Sequence, residues 1–146
     1  MDTNTLTSPT AIYSKTITTA KTLEIGDVYR LPAHTKGLNL QANFTVGTTG
    51  TTVRAWVQTT IDKGVTWIDI ANFYFTTAAR KFTALSADAP FGTAAAPATA
   101  LEAVLLTPLG NNLAVNGLLG DRIRTVVTTT GTYDASVLTV TATAIV

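Results

Sequence analysis

Apolar and polar residues alternate along much of this chain with a period of two, which indicates β-strands rather than helices. The most regular stretch covers residues 38–46, and its apolar residues are predicted to share one face of a strand. That face is expected to belong to the core. Its members are Leu38, Leu40, Ala42, Phe44 and Val46.

A second alternating stretch covers residues 53–59 and follows a glycine- and threonine-rich turn. If Val53 and Val57 point into the core, period-two alternation places Trp56 on the outward face of this strand. Residues 67–75 have a mixed pattern instead, which predicts a central strand that is covered on both sides or bulged in the middle.

The remaining strands are predicted from β-branched and aromatic residues and from turn residues between them. They cover residues 12–18, 28–31, 80–85, 121–129 and 136–146. The last two are expected to pair as a hairpin through a loop that contains Gly131 and Tyr133. Residues 101–106 are predicted as a strand, although their alanine, leucine and glutamate also favour a helix.

No segment carries the apolar stripe of an amphipathic helix, so the chain is predicted to be all-β. We expect a single β-sandwich of jelly-roll type, with about eight or nine mostly antiparallel strands and little helix. The thirty-one threonines support this fold, because threonine is β-branched and its hydroxyl group lets an exposed strand face be hydrated without charged residues.

The 146 residues suffice for one core and are divided into an arm and a domain. Residues 1–12 are predicted to form an extended N-terminal arm, because their first ten residues are polar and lack periodicity. Residues 13–146 form the sandwich, with a long loop at residues 86–100 that contains small residues and two prolines. This loop either contacts a partner or is a surface loop without a function of its own, and the sequence supports both interpretations.

Composition argues against several classes of function. Ten basic and nine acidic residues make 13% of the chain charged, about half the usual share, and no basic cluster suggests nucleic-acid binding. No run of about 20 apolar residues predicts a membrane helix, and the first residues lack a secretory signal. We therefore expect a soluble protein that is made in a bacterial cytoplasm.

Residues that could carry chemistry are scarce. The chain has no cysteine, and His34 is its one histidine, in a loop without a neighbouring nucleophile signature. The carboxylates, among them Asp62, Asp69, Asp88 and Glu102, are dispersed and form no recognisable acid/base pair in the sequence. No catalytic residue, cofactor or metal site is predicted.

The best-defined motif covers residues 60–67 and is predicted to be a hairpin turn. Its five defining positions are Thr60, Asp62, Gly64, Thr66 and Trp67. An aspartate can accept backbone N–H bonds across the turn, the glycine can adopt positive φ, and the tryptophan can lie over the hairpin.

This octapeptide resembles the Asp-box of sialidases and other β-rich proteins, in which the box is structural. A sialidase would carry several boxes on repeated blades, whereas this chain has one box and is too short for the repeats. A calcium site at Asp62 is the weaker alternative, because no other carboxylate has the spacing of a calcium loop.

Three aromatic residues are predicted as contacts for a ligand or partner: Trp56, Tyr74 and Phe91. Trp56 and Tyr74, together with Phe73 and Trp67, could form a platform that stacks on a sugar. The alternative is that core and hairpin packing uses these rings, as strands normally bury such side chains.

Residues 50–60, 67–73 and 119–133 resemble small β-sandwich virion proteins of tailed bacteriophages, and the likeness extends over residues 38–140. The resemblance implies a structural, non-enzymatic role as a capsid decoration or minor capsid protein. Neck or tail components, and a carbohydrate-binding or host-adhesion module, are the alternatives. The implied partners are further copies of the chain, for example in a trimer, and the major capsid or other virion proteins, with residence in the virion.

Overall fold

The computed structural model describes residues 4–6, 9–46, 52–90, 92–93, 109–131, 133 and 135–146. These residues form twelve strands and no helix. The strands are β1 (Asn4–Thr5), β2 (Thr10–Ile17), β3 (Glu24–Ile25), β4 (Tyr29–Arg30), β5 (Gly37–Thr45), β6 (Thr52–Thr60), β7 (Ile68–Phe75), β8 (Ala79–Ser86), β9 (Gly92–Thr93), β10 (Val115–Asn116), β11 (Arg122–Thr130) and β12 (Ser136–Ile145).

Ten of these strands belong to two main sheets. The six-stranded sheet has the order β1-β4-β11-β6-β7, with β3 also paired to β11, and the four-stranded sheet has the order β2-β12-β5-β8. Strands β9 and β10 form a separate two-stranded ribbon. Every pairing is antiparallel except that of β1 with β4.

The chain crosses between the two main sheets at almost every long connection. It passes from β2 to β3 and β4 in the other sheet, returns to β5, crosses to β6 and β7, and then alternates through β8, β11 and β12. This winding is that of a jelly roll, in which two Greek keys form the facing sheets. The predicted all-β sandwich of jelly-roll type is confirmed.

The core lies between the two sheets and is built from their alternating inward side chains. In β5, Leu38, Leu40, Ala42 and Phe44 are all buried, as the period-two pattern predicts, whereas Val46 lies beyond the strand end and is exposed. The ring of Phe44 packs against that of Phe75 from the opposite sheet, with ring centroids 5.6 Å apart. These contacts join the sheets into one hydrophobic core.

The expected hairpin between the last two long strands is wrong, because β11 and β12 lie in opposite sheets. Strand β11 pairs with β6 from Arg122 opposite Thr60 to Thr130 opposite Thr52, while β12 pairs with β2 and β5. The connection between them crosses the end of the sandwich. Its Tyr133 is buried there and donates its hydroxyl proton to the carbonyl of Thr52 at 2.6 Å.

Strand β7 is also placed differently from the prediction. It is bulged next to Gln58 and covered on both faces, as expected, but it lies at the end of its sheet rather than in the centre. Residues 109–116 explain the burial, because Leu113 accepts a backbone hydrogen bond from Asn72 at 3.0 Å and Ala114 forms a bridge to Ala71.

The first described residues lie against the chain's own sheet. Asn4 and Thr5 pair with β4, and the N–H of Leu6 donates to the carbonyl of Arg30 at 2.8 Å. A role of residues 1–12 as an arm toward a neighbour stays a prediction. Of the predicted loop 86–100, residues 86–90 and the short strand β9 are described, and residues 101–106 lie outside the described part.

The hydroxyl of Tyr133 gives a test of this crossing connection. We expect Tyr133→Phe to lower the free energy of unfolding by about 1 kcal/mol, because the partly buried carbonyl of Thr52 loses this donor. Urea denaturation measures the change. Tyr74→Phe is the matched control, since the Tyr74 hydroxyl has no partner within the described residues, and an equal loss in both variants would contradict this role of Tyr133.

Candidate functional site

The hairpin between β6 and β7 is organised by two polar side chains. Thr60 Oγ1 donates to Asp62 Oδ1 at 2.9 Å and accepts the N–H of Gly64 at 2.9 Å. Asp62 Oδ1 also accepts the N–H of Thr66 at 2.8 Å. This hydrogen bond from Thr66 is the main cause that holds the pKa of the exposed Asp62 below its ordinary value.

Backbone geometry and ring packing complete the hairpin. Lys63 and Gly64 both have positive φ, at 61° and 93°. The ring of Trp67 is buried beside Gly64, and the guanidinium of Arg124 lies 4.3 Å from the centroid of that ring. Each of the five defining residues therefore has a role in the turn, and the arrangement supplies no reactive group.

Next to the hairpin, a chain of hydrogen bonds crosses the outer face of the six-stranded sheet. Arg124 Nε donates to Gln58 Oε1 at 2.8 Å, and Gln58 Nε2 donates to Asp69 Oδ1 at 2.8 Å. The second oxygen of Asp69 accepts the N–H of Leu109 at 3.0 Å. This chain fastens residues 109–113, which we call the cover segment, to the sheet.

Asp69 is the carboxylate to consider as a catalytic acid, because its side chain is buried, with 1% of the residue exposed. Burial raises the pKa of Asp69, while the hydrogen bonds from Gln58 and Leu109 and the charge of Arg124 oppose this rise. Both oxygens are already bonded within the protein, and solvent does not reach them. The geometry therefore assigns Asp69 to holding the cover segment rather than to proton transfer with a ligand.

The cover segment also buries Trp56, which was expected to face outward and to contact a ligand or partner. This side chain shares a face of β6 with Gln58, but it is 4% exposed, and its Nε1 donates to the carbonyl of Leu109 at 3.1 Å. A buried ring cannot contact a sugar or partner. The turn residues Asn111 and Asn112 are the one signal in the sequence near this cover, and they indicate a loop but not where it packs.

The other two predicted contact residues differ from Trp56. Tyr74 is half-buried, and the guanidinium of Arg54 lies 4.8 Å from the centroid of its ring, so one face of the ring is already used. Phe91 lies outside the described residues. Of the four rings of the predicted sugar platform, Trp56, Trp67 and Phe73 are buried, so they form no exposed stacking surface with Tyr74.

A cavity of about 300 Å³ opens between β7 and β8. Asn72 lines it and donates its amide N–H to the carbonyl of Leu109 at 2.9 Å, while its Oδ1 has no partner within the described residues. Lys81 Nζ donates to the carbonyl of Tyr74 and, at 3.1 Å, to Asn112 Oδ1. The lining consists of Ala71, Asn72, Phe73, Lys81, Phe82, Thr83, Asn112 and Leu113.

Groups that could perform catalysis do not converge in the part of the chain described here. His34 is exposed in a loop with φ of 63°, and no three His, Asp or Glu side chains among the described residues are placed to hold a metal ion. Nor do these residues contain a helix of the length and apolar character needed to cross a membrane.

The chain matches no family model and no curated protein sequence. Its function is therefore inferred from the geometry of the described residues, which form a hydrogen-bonded hairpin, a covered outer face over β6 and β7, and an open edge at β8.

Close packing at the base of the hairpin is testable with glycine variants. A Cβ added at Gly120 would lie 1.6 Å from the carbonyl oxygen of Thr60, so the backbone must move. We expect Gly120→Ala to reduce the free energy of unfolding by about 3 kcal/mol or more. Urea titration measures this loss.

Gly64→Ala is the control for this effect. Its added Cβ meets only the ring of Trp67 at 3.7 Å, so the cost arises from positive φ alone and should be about 1 kcal/mol. A Gly120→Ala variant as stable as Gly64→Ala would contradict the close contact with Thr60.

Proposed function

We propose that this protein is a non-enzymatic structural component of a tailed-bacteriophage virion, which binds the capsid shell as a decoration or minor capsid protein. The observation that carries the proposal is the outer surface of the four-stranded sheet. Most of its side chains on β2, β5 and β12 are short, polar and uncharged, although Ala11, Val137 and Ile145 on these strands are apolar and Arg80 and Phe82 of β8 lie at its border. We call this surface the neutral face; it comprises Ser14, Thr16, Asn39, Gln41, Asn43, Thr45, Thr139, Thr141 and Thr143.

Strand register arranges these side chains in rows across the sheet. Thr139 lies opposite Ser14 on one side, with their hydroxyl oxygens 3.1 Å apart, and opposite Asn43 on the other. Thr141 lies opposite Gln41 in the next row. The result is a broad surface with hydroxyl and amide groups that both donate and accept hydrogen bonds.

A surface of this kind suits lasting contact with another protein. Burying an ion costs several kcal/mol unless it is paired, and the cores of protein interfaces are depleted of charged residues. The neutral face can be covered without that cost, provided that its hydroxyl and amide groups find partners. An extended polar sheet face is also a poor catalytic site, because it has no cleft that excludes water.

Two further considerations support a virion over other assemblies. The sequence resembles small virion proteins of tailed phages over residues 38–140, and the jelly roll is an architecture that viral capsid domains use. Lectin domains use it as well, so the fold alone does not decide the function. The sugar-binding alternative is weakened by the burial of Trp56, which removes one ring of the predicted platform.

Co-sedimentation with phage particles assembled without this protein tests the proposal. We expect the wild-type protein to sediment with such particles, and Thr141→Lys to reduce the bound fraction at least tenfold, because the lysine would have to be desolvated at the contact. Thermal unfolding of the variant establishes that it is folded.

Thr77→Lys introduces the same charge at an exposed position between β7 and β8, away from the neutral face, and should bind like the wild type. Wild-type protein that stays in the supernatant would contradict virion binding. Equal binding of Thr141→Lys and wild type would contradict the use of the neutral face.

A further inference from the structure

The outer edge of β8 is an open sheet edge. Strand β8 pairs with β5 from Ala79 to Ser86, and within the described part of the chain no strand pairs with its other side. An edge of this kind presents unpaired N–H and C=O groups that can accept a strand from another molecule.

The hydrogen bonds of Ser86 reveal which residues present these groups. Its N–H donates to Asn116 Oδ1 at 2.9 Å, and its carbonyl accepts the N–H of Gly117 at 2.8 Å, so both point away from β5. Backbone groups in a strand alternate in direction with every residue. Arg80, Phe82 and Ala84 therefore direct their N–H and C=O groups outward along the open edge.

The side chains of this edge give it little protection against pairing. Phe82 is 69% exposed, and Ala84 is exposed as well. Soluble proteins usually protect such edges with inward-pointing lysines, prolines or bulges. Lys81 does not serve this purpose, because its ammonium group is bound to the carbonyl of Tyr74 and to Asn112.

We infer that β8 pairs in antiparallel orientation with β8 of a second copy of this chain. The two-fold axis that relates the two copies passes between their Phe82 residues. This contact joins the two four-stranded sheets edge to edge. The inference rests on the proposed function in that virion proteins of the kind the sequence resembles are implied to bind further copies of themselves. It uses the backbone edge of the sheet, whereas virion binding is assigned to the neutral face.

Charge and hydrogen bonding together select this register. An axis at Phe82 places Arg80 opposite Ala84 of the partner subunit and Lys81 opposite Thr83 of the partner subunit, so that no like charges meet. All three outward residues then form hydrogen-bonded pairs, each with two bonds.

The other two-fold registers are poorer. An axis at Arg80 or at Lys81 places two arginines or two lysines directly opposite each other, which destabilises an antiparallel pair. An axis at Thr83 would require Ser86, whose backbone is already bonded to Asn116 and Gly117, and it loses one of the three pairs. The register about Phe82 is the one that keeps all pairs without repulsion.

Disulfide formation between single-cysteine variants tests the register, since the natural chain has no cysteine. In a hydrogen-bonded antiparallel pair the Cα atoms lie about 5.5 Å apart, a separation that a disulfide can bridge. We expect Phe82→Cys to form a covalent dimer under mild oxidation at least tenfold faster than Ala84→Cys, whose two Cα atoms would lie about 14 Å apart.

A mixture of Arg80→Cys with Ala84→Cys keeps Phe82 and should give a disulfide heterodimer faster than either variant gives a homodimer. Equal rates for Phe82→Cys and Ala84→Cys would overturn the proposed register, as would a mixture without excess heterodimer. Both readouts use folded protein whose core is unchanged.

Sedimentation equilibrium separates self-pairing from virion binding. We expect wild-type protein to dimerise, Phe82→Glu to be at least tenfold weaker, and Val65→Glu, which changes an exposed apolar residue at the hairpin, to dimerise normally. Wild-type protein that is monomeric at its highest soluble concentration would overturn the inference. Because Phe82 lies beside Gln41 on the same outer face, particle binding is measured with the uncharged variant Ala84→Pro, which loses an outward N–H of the edge. A monomeric Ala84→Pro variant that still binds particles supports both assignments independently.

Discussion

The carboxylate of Asp69 is the group on which the arrangement of the six-stranded sheet depends. By accepting hydrogen bonds from Gln58 and from the backbone of Leu109, it holds the cover segment against a face that would otherwise be exposed. Trp56 and Asn72 are buried as a result, and both donate to the carbonyl of Leu109. The same segment then continues along β7, so the edge of this sheet is covered too.

The two sheets consequently meet solvent in different ways. The six-stranded sheet is covered on its outer face over β6 and β7 and at its β7 edge, whereas the four-stranded sheet keeps a neutral face and the open edge of β8. Because the chain has so few charged residues, electrostatic repulsion between molecules opposes their association only weakly. We propose that one of these two exposed surfaces joins copies of the chain and that the other binds a shell.

Local pattern was enough to predict some of this structure. Period-two alternation identified the buried face of residues 38–44, and the spacing of Thr60, Asp62 and Gly64 identified the hairpin, because short-range geometry determines both. Long-range pairing was not predictable in this way. The burial of Trp56 depends on Leu109, 53 residues away, and nothing near Tyr133 shows that its connection crosses between sheets. The alternation in residues 80–85 likewise does not reveal that Phe82 lies on an open edge.

Residue-resolved amide hydrogen exchange at low and high protein concentration tests most directly whether β8 is an open edge that joins copies. An open β8 edge that joins copies predicts that the amides of Arg80, Phe82 and Ala84 exchange rapidly in dilute protein and become protected as the protein concentration rises. The amides of Lys81 and Thr83, which face β5, should be protected throughout. Protection of Phe82 in dilute protein, or no concentration dependence at all, would contradict it.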